Sequence, residues 1–110
     1  MTSVLENSSN ENLLYKIKSW DDEKLDLKQK LLRGIYAFGF ENPSSIQSKA
    51  LYPMTYRPAR DIIAQAQSGT GKTGAFVTGS LQIINEKVFK TQAVILAPTH
   101  ELAIQTKQVL

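Results

Sequence analysis

The sequence predicts an α/β fold, a parallel sheet with helices on its faces. Three observations carry this expectation. Two short apolar runs, residues 61–65 and residues 93–97, have the length and continuity of strands buried on both sides. Each is followed by a segment whose apolar residues recur at helical spacing. A glycine-rich loop at residues 66–73 joins the first run to its helix. The order strand, helix, strand, helix reads as a right-handed βαβ crossover.

Composition narrows the class. Of 110 residues, 42% are hydrophobic and 21% charged, the balance of a globular chain rather than a disordered or collagen-like one. There is no cysteine and one histidine, His100, which excludes a disulfide framework, a thiolate metal site and a histidine-rich metal site. No apolar run approaches the roughly 20 residues that span a bilayer, and the N-terminus lacks the basic flank and apolar core of a secretory signal. The expected location is the reducing interior of a cell, in cytoplasm or nucleus, with no membrane partner. Residues 1–30 carry six acidic and five basic side chains, a balance of −1, and residues 31–110 carry four and eight, a balance of +4. A mildly basic body suits a polyanionic partner, but charge alone favours an ordinary lysine-rich surface.

Residues 1–17 show neither a two-residue nor a 3.6-residue period and are expected to form a flexible tail. From Leu25 the pattern turns helical: Leu27, Leu31 and Ile35 are four apart, with Leu32 and Tyr36 on the adjoining row. Gly39 stands where a left-handed cap is wanted. Ser44 and Gln47 make a capping box that opens a second helix, expected to run to about Tyr52, where Pro53 ends or kinks it. After the first strand, Ala75, Phe76, Val77, Leu81 and Ile84 form the inward row of a third helix. Residues 87–91 are a polar connection. Pro98 closes the second strand, and from Glu101 a fourth helix follows, with Leu102, Ala103, Val109 and Leu110 as its apolar set. Two strands cannot cover both faces and edges of a parallel sheet. The expectation is therefore part of a larger α/β domain, ending after its second strand–helix unit.

The loop Ala66-Gln67-Ser68-Gly69-Thr70-Gly71-Lys72-Thr73 is a phosphate-binding loop with its first glycine replaced by alanine. Gly69 and Gly71 let several backbone N–H groups point inward. The helix start adds the positive end of its dipole. Lys72 can reach the β and γ phosphates of ATP, and Thr73 can offer its hydroxyl to Mg²⁺. Alone, the loop indicates a nucleoside triphosphate and does not separate kinases, GTPases, transporters and helicases.

Two further blocks flank it. Upstream stand Trp20-Asp21-Asp22 and Gly39-Phe40-Glu41-Asn42-Pro43-Ser44-Ser45-Ile46-Gln47, and downstream Ala97-Pro98-Thr99-His100-Glu101-Leu102-Ala103. With the loop between them, the chain resembles the N-terminal part of a DEAD-box ATP-dependent RNA helicase. It is especially similar to the subgroup of eukaryotic translation initiation factor 4A. The resemblance implies two RecA-like domains that clamp ATP and single-stranded RNA, of which this chain holds part of the first. It divides the chain into a tail (1–17), a Q-motif region (18–48) and a partial ATP-binding domain (49–110). It implies that Gln47 reads the adenine edge and that Trp20 packs near the base. It places RNA backbone at Pro98, Thr99 and His100, and translation-initiation proteins among the partners. His100 departs from the arginine usual there. The segment 57–61 also departs, with alanine at 59 where relatives have glycine. The Asp-Glu-Ala-Asp block that would complete hydrolysis is not in these 110 residues, so the chain alone is expected to be inactive. Two alternatives stand beside this reading: a truncated, non-catalytic copy that binds nucleotide or a partner, and another kind of P-loop enzyme.

Overall fold

The computed structural model describes residues 14–110 and, as backbone, the strand Ser3–Glu6. Its elements are β1 (Ser3–Glu6), α1 (Gln29–Phe38), α2 (Ser45–Thr55), β2 (Ile62–Gln65), α3 (Lys72–Ile83) and α4 (His100–Val109).

Helix α2 lies at the centre. Its Leu51 is buried in a cluster with Ile17, Trp20, Leu25 and Ile35, flanked by Tyr15, Leu31, Leu32 and Phe40. Its opposite side presents Ile46 and Ala50 to Ala66, with Met54 alongside. Helix α3 crosses α2 closely at Gly79, where a methyl group would stand 2.6 Å from Met54 Cε. Residues 14–17 are not a loose tail. Ile17 is buried, and its N–H donates to Ser48 O at 3.0 Å. The Tyr15 hydroxyl donates to Asp22 Oδ2 at 2.7 Å. The rest of the expected tail, apart from the β1 backbone, lies outside the described residues.

Helix α1 starts at Gln29, four residues after Leu25. Asp26 has φ +49° and Lys28 is extended, which keeps this stretch out of the helix. Here the chain is fastened to the end of α3 instead. Lys28 N donates to Gln82 Oε1 at 2.9 Å, and Gln82 Nε2 donates to Asp26 O at 3.1 Å. Lys28 Nζ donates to Leu81 O and Ile84 O, a cation on the carbonyl end of a helix. Gly39 takes the left-handed cap, with φ +104°. Pro53 does not end α2, which continues to Thr55. The helix gives up the bond that the residue-53 N–H would make, and Thr55 Oγ1 bonds back to Leu51 O at 3.0 Å.

The sheet differs from expectation. The described strands are β1 and β2, paired antiparallel, with Ser3 opposite Gln65 and Glu6 opposite Ile62. Residues 93–97 form no strand and join no ladder among the described residues, and Val94 and Leu96 are 74% and 90% exposed. A continuous apolar run becomes a buried strand only where neighbours satisfy its backbone and helices cover both faces. The described residues supply neither for 93–97. For the same reason Ile63 is exposed, and α4 buries Thr106 while Leu102 and Leu110 remain accessible.

Candidate functional site

The glycine-rich loop leaves β2 with Ala66 buried against Ile46 and Ala50. Gly69 and Gly71 have φ +80° and +96°, backbone that a side chain would strain. Thr70 Oγ1 closes the turn by donating to Gln67 O. Gly71 is the N-cap of α3, and its carbonyl accepts the first intrahelical bond, from Ala75 N at 3.0 Å. The N–H groups of the turn before it have no intrahelical acceptor, so they and the helix dipole make a seat for an anion. Lys72 is exposed at the first helical position and Thr73 is half-buried beside it.

A second element holds this seat. Ser44 caps α2, its Oγ accepting from Gln47 N at 3.4 Å while its own N–H donates to Gln47 Oε1 at 2.8 Å. Gln47 Nε2 donates to Gly71 O at 3.1 Å. The expected capping box therefore does more than start a helix: it reaches across and ties α2 to the phosphate loop. A Cβ on Gly71 would stand 2.8 Å from both Gln47 Nε2 and Ser44 Oγ, so the loop glycine also makes room for this contact.

Trp20 is fully buried, and its indole stacks on Phe40 with centroids 6.1 Å apart and planes at 26°. The structure gives this face to Phe40 rather than leaving it open to a base. Phe40 went unremarked as a site residue in the sequence, yet its ring lies against Gly74 of α3. Its position directly after the Gly39 cap was the available signal.

A cavity of about 730 Å³ opens beside the loop. Ser68, Gly69, Gly71, Lys72 and Thr73 line one part of it, and Pro98, Leu102 and Thr106 another. Of the three residues expected at RNA, Pro98 lines this cavity. Thr99 caps α4, its Oγ1 accepting from Leu102 N at 3.2 Å, and His100 is the exposed first residue of that helix. Thr99 and His100 thus stand at a second helix N-terminus.

The donor set for a cation at the loop is small. Among the described residues, no three His, Cys, Asp or Glu side chains cluster to hold a metal ion. The Thr73 hydroxyl is a hard oxygen ligand suited to Mg²⁺ only with nucleotide oxygens and water completing the shell. No helix among the described residues is long and apolar enough to cross a membrane.

A strand, a left-handed glycine turn, and a helix start with an adjoining lysine and threonine make a cradle of the P-loop nucleoside-triphosphate class. The chain belongs to the DEAD/DEAH box helicase family, whose sequence profile matches residues 44–110. It is 55% identical over 94 residues to the ATP-dependent RNA helicase eIF4A of Yarrowia lipolytica, across 86% of this chain and 23% of that protein. To the ATP-dependent RNA helicase fal1 of Schizosaccharomyces pombe it is 54% identical over 88 residues, covering 80% of this chain and 22% of that protein. The fold matches that of S. cerevisiae Dbp5 bound to RNA and ADP BeF3. The TM-score is 0.78 at 47% identity, over 84% of this chain and 23% of that one. The chain thus spans about a quarter of the length of the relatives it matches.

Proposed function

We propose that this chain is the nucleotide-binding part of an ATP-dependent RNA helicase of the initiation-factor-4A type. The bond from Gln47 to the Gly71 carbonyl carries the reading, because it joins the upstream block to the phosphate loop in one site. In this reading the loop N–H groups and Lys72 hold the triphosphate, and Thr73 supplies one oxygen to Mg²⁺. That cation, when bound, neutralises charge on the β and γ phosphates. Gln47 selects adenine: each end of its carboxamide has one bonding place left after Ser44 and Gly71 are served. Trp20 acts from behind, fixing Phe40.

RNA lies along Pro98, Thr99 and His100, held by its sugar–phosphate backbone, so sequence preference is weak. Dbp5, similar over most of this chain, has been solved with RNA and ADP BeF3, which supports both ligands. In the whole protein β2 and residues 93–97 both belong to the parallel sheet of a RecA-like domain, with their exposed apolar side chains covered. Translation-initiation proteins are the partners this reading favours, with cytoplasm or nucleus as the location.

The test is competition and turnover in the native protein. ATP displaces a bound fluorescent adenine nucleotide far better than GTP does, and RNA stimulates phosphate release. Equal displacement by GTP overturns the base assignment, and RNA-independent turnover overturns the helicase assignment.

A further inference from the structure

We propose that the loop at residues 85–92 is a second contact for single-stranded RNA, in which the Phe89 ring stacks on an unpaired base and Lys87 and Lys90 meet the flanking phosphates. The inference rests on the reading that the protein binds RNA, and on no contact at Pro98, Thr99 or His100. Phe89 is 96% exposed, more than any other large apolar side chain among the described residues. The loop that carries it is closed without the ring. Asn85 N donates to Gln92 Oε1 at 2.7 Å, and Gln92 Nε2 donates to Asn85 O at 2.8 Å and to Val88 O at 2.9 Å. Inside this clamp Val88 N donates to Asn85 O at 3.0 Å, and Lys87 N donates to Asn85 Oδ1 at 3.0 Å. Lys30 ties the loop to α1, its Nζ standing 3.1 Å from Glu86 Oε1. The ring is thus held out on a braced loop, a platform that loses little freedom when a base stacks on it.

The charges around the ring point to its ligand. Glu86 is the one carboxylate of the loop. Lys30 holds its pKa below the usual value by hydrogen bond and charge, and Lys28 and Lys87 add to the effect. The ammonium groups of Lys87 and Lys90 make no hydrogen bond or ion pair with any described residue. Protein interfaces are depleted of lysine and centre on contiguous apolar area. Here Phe89 and Val88 stand alone between two lysines. One aromatic face among free cations is instead the composition of a single-strand platform, where stacking accepts any base and cations track the backbone. The loop is also separate from the RNA path proposed above. Helix α3 has 12 residues and a length of about 18 Å, and the loop follows the end of α3 away from the phosphate seat. The chain from Phe89 to Pro98 spans at most about 30 Å, so one RNA strand can reach both contacts.

The experiment titrates labelled oligouridine of about 24 nucleotides, longer than a single module covers, into the native protein and its variants, read by fluorescence anisotropy. Phe89→Leu is expected to weaken binding about fivefold, the scale of one lost stack. Phe89→Tyr keeps the aromatic face and is expected to stay within about twofold of the native protein, a split that apolar contact alone would not give. Lys87→Gln and Lys90→Gln together are expected to lower the slope of log affinity against log salt by about 1.4, for two contacts to a single strand. Phe89→Trp gives a direct signal. The RNA is expected to quench the added indole emission, and heparin, a polyanion without bases, is not. Because Phe89 is exposed, its variants are expected to melt as the native protein does. Equal binding by the native protein and Phe89→Leu overturns the proposal and leaves the ring to a protein partner. So does a loss in Phe89→Tyr as large as that in Phe89→Leu, an unchanged salt slope in the lysine variant, or equal quenching by heparin. If the native protein does not bind the RNA, the RNA reading falls and takes the proposal with it. If it binds and the Phe89 variants match it, only the proposal falls.

Discussion

Trp20 stacks on Phe40 at 6.1 Å with the two planes 26° apart, and its buried indole Nε1 has no hydrogen-bond acceptor among the described residues. A large aromatic here gains from burial but leaves a donor unsatisfied. Trp20→Phe therefore loses part of the apolar contact and also removes the unpaired donor. The two effects oppose each other, so the expected loss of stability is about 1 kcal/mol or less. Trp20→Ala leaves a cavity under Leu51 and Phe40 and is expected to cost about 3–5 kcal/mol. Denaturant titration of the native protein and both variants checks this. A Trp20→Phe loss as large as that of Trp20→Ala would show that the Nε1 donor is in fact satisfied.

The parts legible in the sequence are those set by neighbouring residues. The Ser44–Gln47 capping box and the Gly39 cap depend on three- and four-residue spacings, and both formed where read. The phosphate loop was legible because Gly69 and Gly71 mark backbone that other residues strain. What was not legible is long-range. Nothing local to Lys28 announces that it will cap a helix more than fifty residues away and so delay α1. Gln47 was readable as a cap or as a base reader, but its bond to Gly71 joins residues 24 apart. The run at 93–97 has strand composition, yet strand formation is a property of a sheet, and its neighbours are not among the described residues. The family resemblance places Trp20 near a ligand, and only the fold shows Phe40 stacked against it.

The Tyr15–Asp22 pair gives a pH dependence whose sign is fixed. Partial desolvation raises the Asp22 pKa, but hydrogen bonds from the Tyr15 hydroxyl, Lys24 N and Lys18 N outweigh it and hold the carboxyl below its usual value. The same bond raises the Tyr15 phenol above its usual value, joined by desolvation and the Asp22 charge. A lowered acid stabilises the fold above its unfolded pKa and loses that contribution as pH falls through the folded value. A raised phenol stabilises below its unfolded pKa and loses that as pH rises through the folded value. The contribution is thus full between about pH 4 and about pH 10. Tyr15→Phe is expected to lower the melting temperature across that window. The gap from wild type should close as pH drops below about 4. A gap that stays constant from pH 7 to pH 2.5 would show that the hydroxyl does not stabilise the fold through the ionised Asp22 carboxylate.

Lys72 begins α3 with its side chain exposed beside the cavity at the loop. Its charge is expected to meet phosphate rather than any group of the protein. Lys72→Ala should weaken ATP binding by about 2 kcal/mol, the scale of a hydrogen bond to a charged group. AMP binding should change far less, because the lysine serves the outer phosphates. Titration with both nucleotides decides it. ATP affinity within about twofold of wild type, or only about 0.4 kcal/mol, would remove the loop as the phosphate seat.

His100 is the exposed first residue of α4, directly after the Thr99 cap. A helix N-terminus already favours a phosphate through its free N–H groups and dipole. Arginine at 100 would add a permanent charge that can fork onto phosphate oxygens. If the RNA backbone passes this helix start, His100→Arg adds one phosphate contact. RNA affinity then rises, and the plot of log affinity against log salt steepens by about 0.7, the value for one contact to a single strand. The cap itself is untouched, because Thr99 Oγ1 and Leu102 N form it without the side chain at 100. The measurement is fluorescence anisotropy of a labelled single-stranded RNA with the native protein and the variant over a range of salt. Coincident slopes would show that position 100 does not face the RNA. A parallel shift at unchanged slope would mean that arginine acts by a contact other than phosphate.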